Sequence, residues 1–185
     1  MIADPAELLP TVAAVMPIRL GGRDWWYVVL WTDNDCEDSA YRHGSASPLY
    51  SDRDALVRDL DLDGIPVDDE VGWAVDVDRA RALLSFTMSR DEMDVVNTAW
   101  NSLDDLTKSL GVPLGFHGKL ANRAYDKLFW GLNLPSMTPP GQWFTPRWRP
   151  RELDKIEQVL RECSARVLSS VEPQSFESRR PLKMH

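Results

Sequence analysis

The chain of 185 residues is long enough for one domain with a sizeable core, since 43% of it is hydrophobic and eight residues are Trp; such a domain buries roughly 70% of its unfolded surface. A net charge of −8 argues against a duplex nucleic-acid binder, whose phosphate backbone would repel it, and no apolar run approaches the ~20 residues that span a bilayer. Cys36 and Cys163 make no disulfide framework and no C-x-x-C, and the N-terminal run lacks a basic leader, so the expectation is a cytoplasmic protein.

The charge is unevenly spread. Residues 1–111 carry 22 Asp and Glu against 9 Lys and Arg, whereas residues 112–185 carry 7 against 12. An acidic majority suits a basic partner, or it serves solubility alone.

In chain order, Asp4-Pro5-Ala6-Glu7 reads as an N-cap followed by Pro at the first helical position. From Thr11 to Leu20 the residues Val12, Ala14, Met16, Ile18 and Leu20 share one side of a strand. Gly21-Gly22 is a two-residue loop of the kind that closes a hairpin. Asp24 to Thr32 is apolar on both faces, as in a strand covered on both sides, and Pro17 puts its partner at an edge or in a bulge. Residues 33–47 read as a polar loop. Ser51 or Asp52 caps a helix through Leu60 with Leu56, Val57 and Leu60 inward, and 59–70 reads as a loop. Val71, Trp73, Val75 and Val77 alternate like a short strand, and Asp76 or Asp78 then caps a helix to about Phe86.

The strongest helix signal is Ser89 to Pro113. Ser89 and Glu92 have capping-box spacing. Met93, Val96, Trp100, Leu103, Leu106 and Leu110 recur at three- and four-residue steps. Gly111 and Pro113 close it. Its polar side, with Asp94, Asn97, Asn101, Asp104 and Asp105, reads as solvated. A further helix is expected over Lys119–Trp130, with Leu120, Ala124, Leu128 and Phe129 buried. Gly131–Pro150 reads as extended and irregular. A last helix opens at Pro150 and Glu152 and buries Leu153, Ile156, Leu160, Cys163, Val167 and Val171. The expected fold class is therefore α+β: a small antiparallel sheet, formed by the N-terminal hairpin and short strands, packed by four to five helices. Residues 1–172 form a single domain and 173–185 a flexible basic tail.

Few residues point to catalysis. His43, His117 and His185 are scattered, and neither G-x-S-x-G nor G-x-G-x-x-G occurs. Gly118-Lys119 lacks the Ser or Thr that a phosphate loop places next, because Leu120 stands there. No cofactor is expected. One motif matches in full: Asp59, Asp61, Asp63, Gly64 and Glu70 fit D-x-[DN]-x-[DN]-G-x5-E, so Asp59, Asp61, Asp63 and Glu70 could ligate Ca²⁺ with the Ile65 carbonyl. Pro66, Leu60 and Leu62 occupy positions that an EF-hand loop fills differently, and a solvated acidic loop explains the same residues. A second acidic group, Asp33, Asp35, Glu37 and Asp38, follows the doubly covered strand. Together with Asp68 and Asp69 it is the candidate partner-binding face. The alternative gives these carboxylates a divalent metal, Ca²⁺ or Mg²⁺, and makes the chain a metal-binding protein or a metal-dependent enzyme. Trp143, Trp148, Arg147, Arg149 and Arg151 form an aromatic-basic patch of a type that stacks on single-stranded bases, or else they cap the core and pair with acids.

Two blocks, TAWNSLDDLTKSLG at 98–111 and YDKLFWGLNLPSMTPPGQWFTPRWRPREL at 125–153, resemble small bacterial immunity-type proteins encoded beside secreted toxins of interbacterial competition. A Trp-rich early strand and a W…D-x-D segment, here Trp73, Asp76 and Asp78, belong to the same resemblance. It covers about residues 20–165 and assigns no functional residue. Tyr125, Lys127, Trp130, Asn133, Pro135 and Trp148 would be shared because they hold the fold. The resemblance implies a non-enzymatic protein that binds a cognate, basic toxin domain by occlusion.

Overall fold

The computed structural model describes residues 12–31, 39–45, 47–68, 74–111 and 118–171. Five strands and five helices follow one another as β1 (Val12–Leu20), β2 (Arg23–Trp31), β3 (Ser39–Ala40), α1 (Arg53–Leu62), β4 (Val67–Asp68), β5 (Val75–Asp76), α2 (Val77–Ala82), α3 (Arg90–Ser109), α4 (Lys119–Gly131) and α5 (Pro150–Ser170). The fold is α+β as expected. The expected N-terminal turn at Asp4–Glu7 and the tail from residue 173 lie outside the described residues.

The hairpin β1–β2 is antiparallel and in register from Val12↔Trp31 to Leu20↔Arg23. Its turn puts Gly21 and Gly22 at φ +64° and +73°, a conformation that costs any residue with a Cβ. The Asp78 carboxylate accepts from both turn amides, Gly21 N–H at 3.1 Å and Gly22 N–H at 2.8 Å. Asp76 caps α2 by accepting from Arg79 N–H at 2.8 Å. Both aspartates of the D-x-D segment are therefore structural.

The sheet is mixed and not purely antiparallel. Its order is β3-β2-β1-β4, with β5 also pairing β1, and both β4 and β5 run parallel to β1. A parallel neighbour needs a crossover longer than a hairpin turn, and the stretch containing α1 supplies it. This arrangement also corrects the expectation for Pro17, since β1 is an interior strand. Trp26 exchanges both backbone bonds with Tyr50, so Pro17↔Trp26 is a pair without mutual hydrogen bonds, and the missing N–H of Pro17 faces the other edge. There β4 pairs Ala13 and Ala14, β5 pairs Ile18 and Arg19, and Pro17 falls in the gap.

Both faces of the hairpin are buried. On one, Met16, Ile18, Leu20, Trp25, Tyr27 and Val29 join the core residues of α2, α3, α4 and α5. On the other, Ala13, Val15 and Val28 pack with Tyr41 and with Leu56 and Leu60 of α1. Helix α3 has its full capping box at Ser89 and Glu92 and buries Met93, Val96, Trp100, Leu103 and Leu106. It is more enclosed than a single stripe suggests, since Asn97, Ser102 and Thr107 are buried too. Ser102 Oγ accepts from Tyr27 Oη–H at 2.9 Å. Helix α2 ends at Ala82, short of Phe86, because Leu83 and Leu84 turn in against the core and leave Phe86 exposed.

Candidate functional site

Helix α1 is capped by Asp52, whose side chain accepts from Asp54 N–H at 3.1 Å. Leu56 and Leu60, one turn apart, are wholly buried and carry the helix through Asp61 and Leu62. Asp59 and Asp61 therefore sit on helix, where two residues are separated by about 200° around the axis, and not on the loop that an EF-hand motif requires. Asp59 accepts from Tyr50 Oη–H at 2.9 Å. Asp63 accepts from Tyr41 Oη–H at 2.6 Å and pairs with His43 Nδ1 at 3.0 Å. Asp61 is exposed, and Glu70 lies outside the described residues. Among the described residues no group of three or more His, Cys, Asp or Glu side chains could hold a metal.

The electrostatics follow from these contacts. The hydrogen bonds from Tyr41 and His43 hold the Asp63 carboxyl below its ordinary range. The carboxylate in turn raises His43. Burial, reinforced by the bond to Asp63 and the nearby negative charge, pushes the Tyr41 phenol up, so it remains a neutral donor. Leu62 stands beside this cluster, 77% exposed.

The cluster lies at one end of the β1–β2 hairpin. Pro66 O accepts from Ala13 N–H at 2.9 Å, which puts the end of α1 at the Val12/Trp31 end of the hairpin. From that same end β2 leaves at Trp31 and β3 returns at Ser39. The predicted partner residues Asp33, Asp35, Glu37 and Asp38 belong to the connection between these strands and, like Asp69, lie outside the described residues. Asp68 is half-buried in β4.

A surface of opposite charge lies on α4 and the segment that follows it. Asn133 takes φ +48° and clamps Phe144 in both directions: its Nδ2–H donates to Phe144 O at 3.0 Å and its Oδ1 accepts from Phe144 N–H at 2.7 Å. Lys127 Nζ donates to Arg147 O at 2.7 Å and to Glu152 Oε2 at 2.6 Å. Residues 144–149 therefore run antiparallel along α4. Trp148 is buried, with Lys127 Nζ 5.7 Å above its ring, while Trp143 is 74% exposed. Only part of the aromatic-basic patch is thus a surface. Leu120, expected inside, is exposed, and Ala121 takes its place in the core. Leu120 lines an open cleft of about 630 Å³ with Arg123, Arg149, Pro150, Arg151 and Glu152. Tyr125, Lys127, Asn133 and Trp148 hold the fold as expected, whereas Trp130 and Pro135 are exposed. Cys163 is buried, and burial pushes its thiol up to about 12.

No helix among the described residues is long and apolar enough to cross a membrane. No family model and no curated protein matches the chain. A solved structure of the SatS C-terminal domain in complex with bromine is similar at 15% identity, over 88% of this chain and 96% of that chain, with a TM-score of 0.46. A likeness of that depth carries no conclusion about function.

Proposed function

We propose that the protein is a non-enzymatic binding protein whose acidic end covers a basic surface on a protein partner. The supporting observation is the end of α1, where Asp59 and Asp63 are fixed by tyrosine hydroxyls and His43 beside the exposed Leu62. Carboxylates held in place by hydrogen bonds lose little side-chain entropy on binding. An apolar residue among them supplies contact area that a solvated loop does not need. The finer reading is that the partner is a toxin domain and the chain its immunity protein; this comes from the resemblance of residues 98–111 and 125–153.

The test is binding to the toxin domain encoded beside the gene, measured at two salt concentrations. Replacing Asp33→Asn, Asp35→Asn, Glu37→Gln and Asp38→Asn together, or Asp61→Asn alone, should slow association and flatten its salt dependence. Unchanged kinetics in both variants would move the interface elsewhere. Titration with Ca²⁺, Mg²⁺ and Mn²⁺ addresses the metal alternative, since heat that disappears in Asp61→Asn would favour it.

A further inference from the structure

We propose that the cleft lined by Leu120, Arg123, Arg149 and Arg151, with the exposed aromatics of α4 and of residues 143–144, is a second binding surface, which takes an extended peptide segment that is acidic and carries apolar side chains. This goes beyond the acidic-end reading and does not depend on it.

Three observations combine. First, Arg123, Arg149 and Arg151 converge on one cleft, are exposed, and form no salt bridge and donate no side-chain hydrogen bond among the described residues. The acid within that cleft, Glu152, is 1% exposed and already paired with Lys127, and Asp126 lines a separate groove beside Trp100 and Tyr125. Arg149 lends its charge to Glu152, but none of the three forms a salt bridge among the described residues, so in a chain of net charge −8 their guanidinium groups are open to carboxylates from outside, which they bind with fork geometry.

Second, apolar side chains are exposed on the same elements. Leu120, Arg123, Lys127 and Trp130 are spaced by three, four and three residues along one stripe of α4. Leu120 is 37% exposed and Trp130 45%. On the segment clamped by Asn133, Phe144 is 42% and Trp143 74% exposed. Exposed aromatics on a fixed backbone are the usual anchors of an interface. Third, the stripe from Arg123 to Trp130 is about 10 Å long at 1.5 Å per residue. That length matches three or four residues of an extended chain.

Charge favours a short acidic segment over a long single nucleic-acid strand. A strand long enough to leave the groove would carry its phosphates over the rest of an acidic protein. An acidic segment ending in the cleft would not.

The probe is a fluorescein-labelled synthetic peptide alternating Asp or Glu with Leu and Phe. Its controls are the same peptide with Lys at every acidic position and a labelled oligothymidine. Anisotropy should show binding of the acidic peptide alone. Arg149→Glu with Arg151→Glu should weaken it by about tenfold or more, the scale of losing charge-assisted contacts. Trp143→Ala should weaken it several-fold, and Asp61→Asn should leave it unchanged, which separates this groove from the acidic end. A melting curve for each variant confirms that these exposed positions leave the fold intact. The proposal is overturned if the Lys peptide or the oligothymidine binds as well, or if affinity survives both the arginine and the tryptophan changes. Self-association that the arginine changes abolish would also overturn it, by giving the groove to a second copy of this chain.

Discussion

Lys127→Met isolates a buried charge and gives the sharpest measure of how this fold is held. Glu152 is 1% exposed and Lys127 keeps 20% of its side chain exposed, with 2.6 Å between them. Removing one partner of such a pair strands the other, at a cost of about 3–5 kcal/mol. The exposure of Lys127 and the remaining bond from Arg149 N–H to Glu152 Oε2 at 2.9 Å place the expected loss near the lower bound, about 3 kcal/mol. In a domain of this length that lowers Tm by about 6–12 °C. The loss is pH-dependent with a defined sign. In the native protein burial pushes the Glu152 carboxyl up, but the bonds from Lys127 and Arg149 N–H and the two positive charges outweigh it and hold the group below its ordinary value of 4.5. That stabilisation is present above the unfolded value and is lost as pH falls through the folded one. Without Lys127, burial drives the carboxyl up and protonation relieves the strain. The deficit of the variant relative to the native protein should therefore shrink between pH 7 and pH 5. Urea unfolding followed by Trp fluorescence at both pH values reads this directly. Lys127→Met combined with Glu152→Gln should recover much of the loss. A deficit under about 1 kcal/mol, far below the cost of a stranded buried charge, or one that is equal at both pH values, would refute the reasoning.

Leu103→Ala, at a wholly buried position of α3, should cost about 2–5 kcal/mol in urea unfolding; a change well under 1 kcal/mol would mean that its pocket collapses. Gly131→Ala should cost about 1–3 kcal/mol, because a Cβ there would stand 2.5 Å from Met93 Sδ and 3.1 Å from Pro146 Cγ. His43 should titrate above its ordinary 6.5, chiefly through its hydrogen bond to Asp63. Any stability it adds is present below the unfolded value and lost as pH rises through the folded one. A proton NMR titration should show the His43 value falling back toward 6.5 in Asp63→Asn, and no movement would mean that the pair does not form in solution.

The local elements were legible in the sequence because their signals are local. Ser89 and Glu92 announce the start of α3, Gly21-Gly22 the hairpin turn, and Pro150 the start of α5, each through backbone groups within three residues. What pairs across distance was not legible. Nothing in Val67–Asp68 or Val75–Asp76 reveals that both lie parallel to β1. Periodicity assigned Asn97 to solvent and Leu120 to the core. The packing of α2, α4, α5 and the sheet around α3 buries the first, and the ridge of α4 that faces the cleft exposes the second. The calcium-loop spacing failed to predict geometry for a related reason. It counts residues, whereas Leu56 and Leu60 extend α1 through the very positions that the motif needs as loop. Glu152 was visible only as a helix opener. Its burial depends on Lys127, 25 residues earlier.

Exposure also sorts the block at 125–153 in a way that its sequence does not. Tyr125 is bonded to Asn101 at 3.0 Å, Lys127 to Glu152, and Asn133 to Phe144, and Trp148 is buried. Each of these serves the packing of α4 against its neighbours. Trp130 meets the Phe129 ring edge-on, but, like Pro135 and Trp143, it is exposed. An exposed Trp lowers solubility without adding to the core. The presence of all three in the block that also carries Arg149 and Arg151 follows if one stretch of chain meets two demands: to close α4 against α5, and to present a rigid aromatic edge outward. The Asn133 clamp serves both, since the bonds that seat the segment on α4 also fix the backbone from which Phe144 projects.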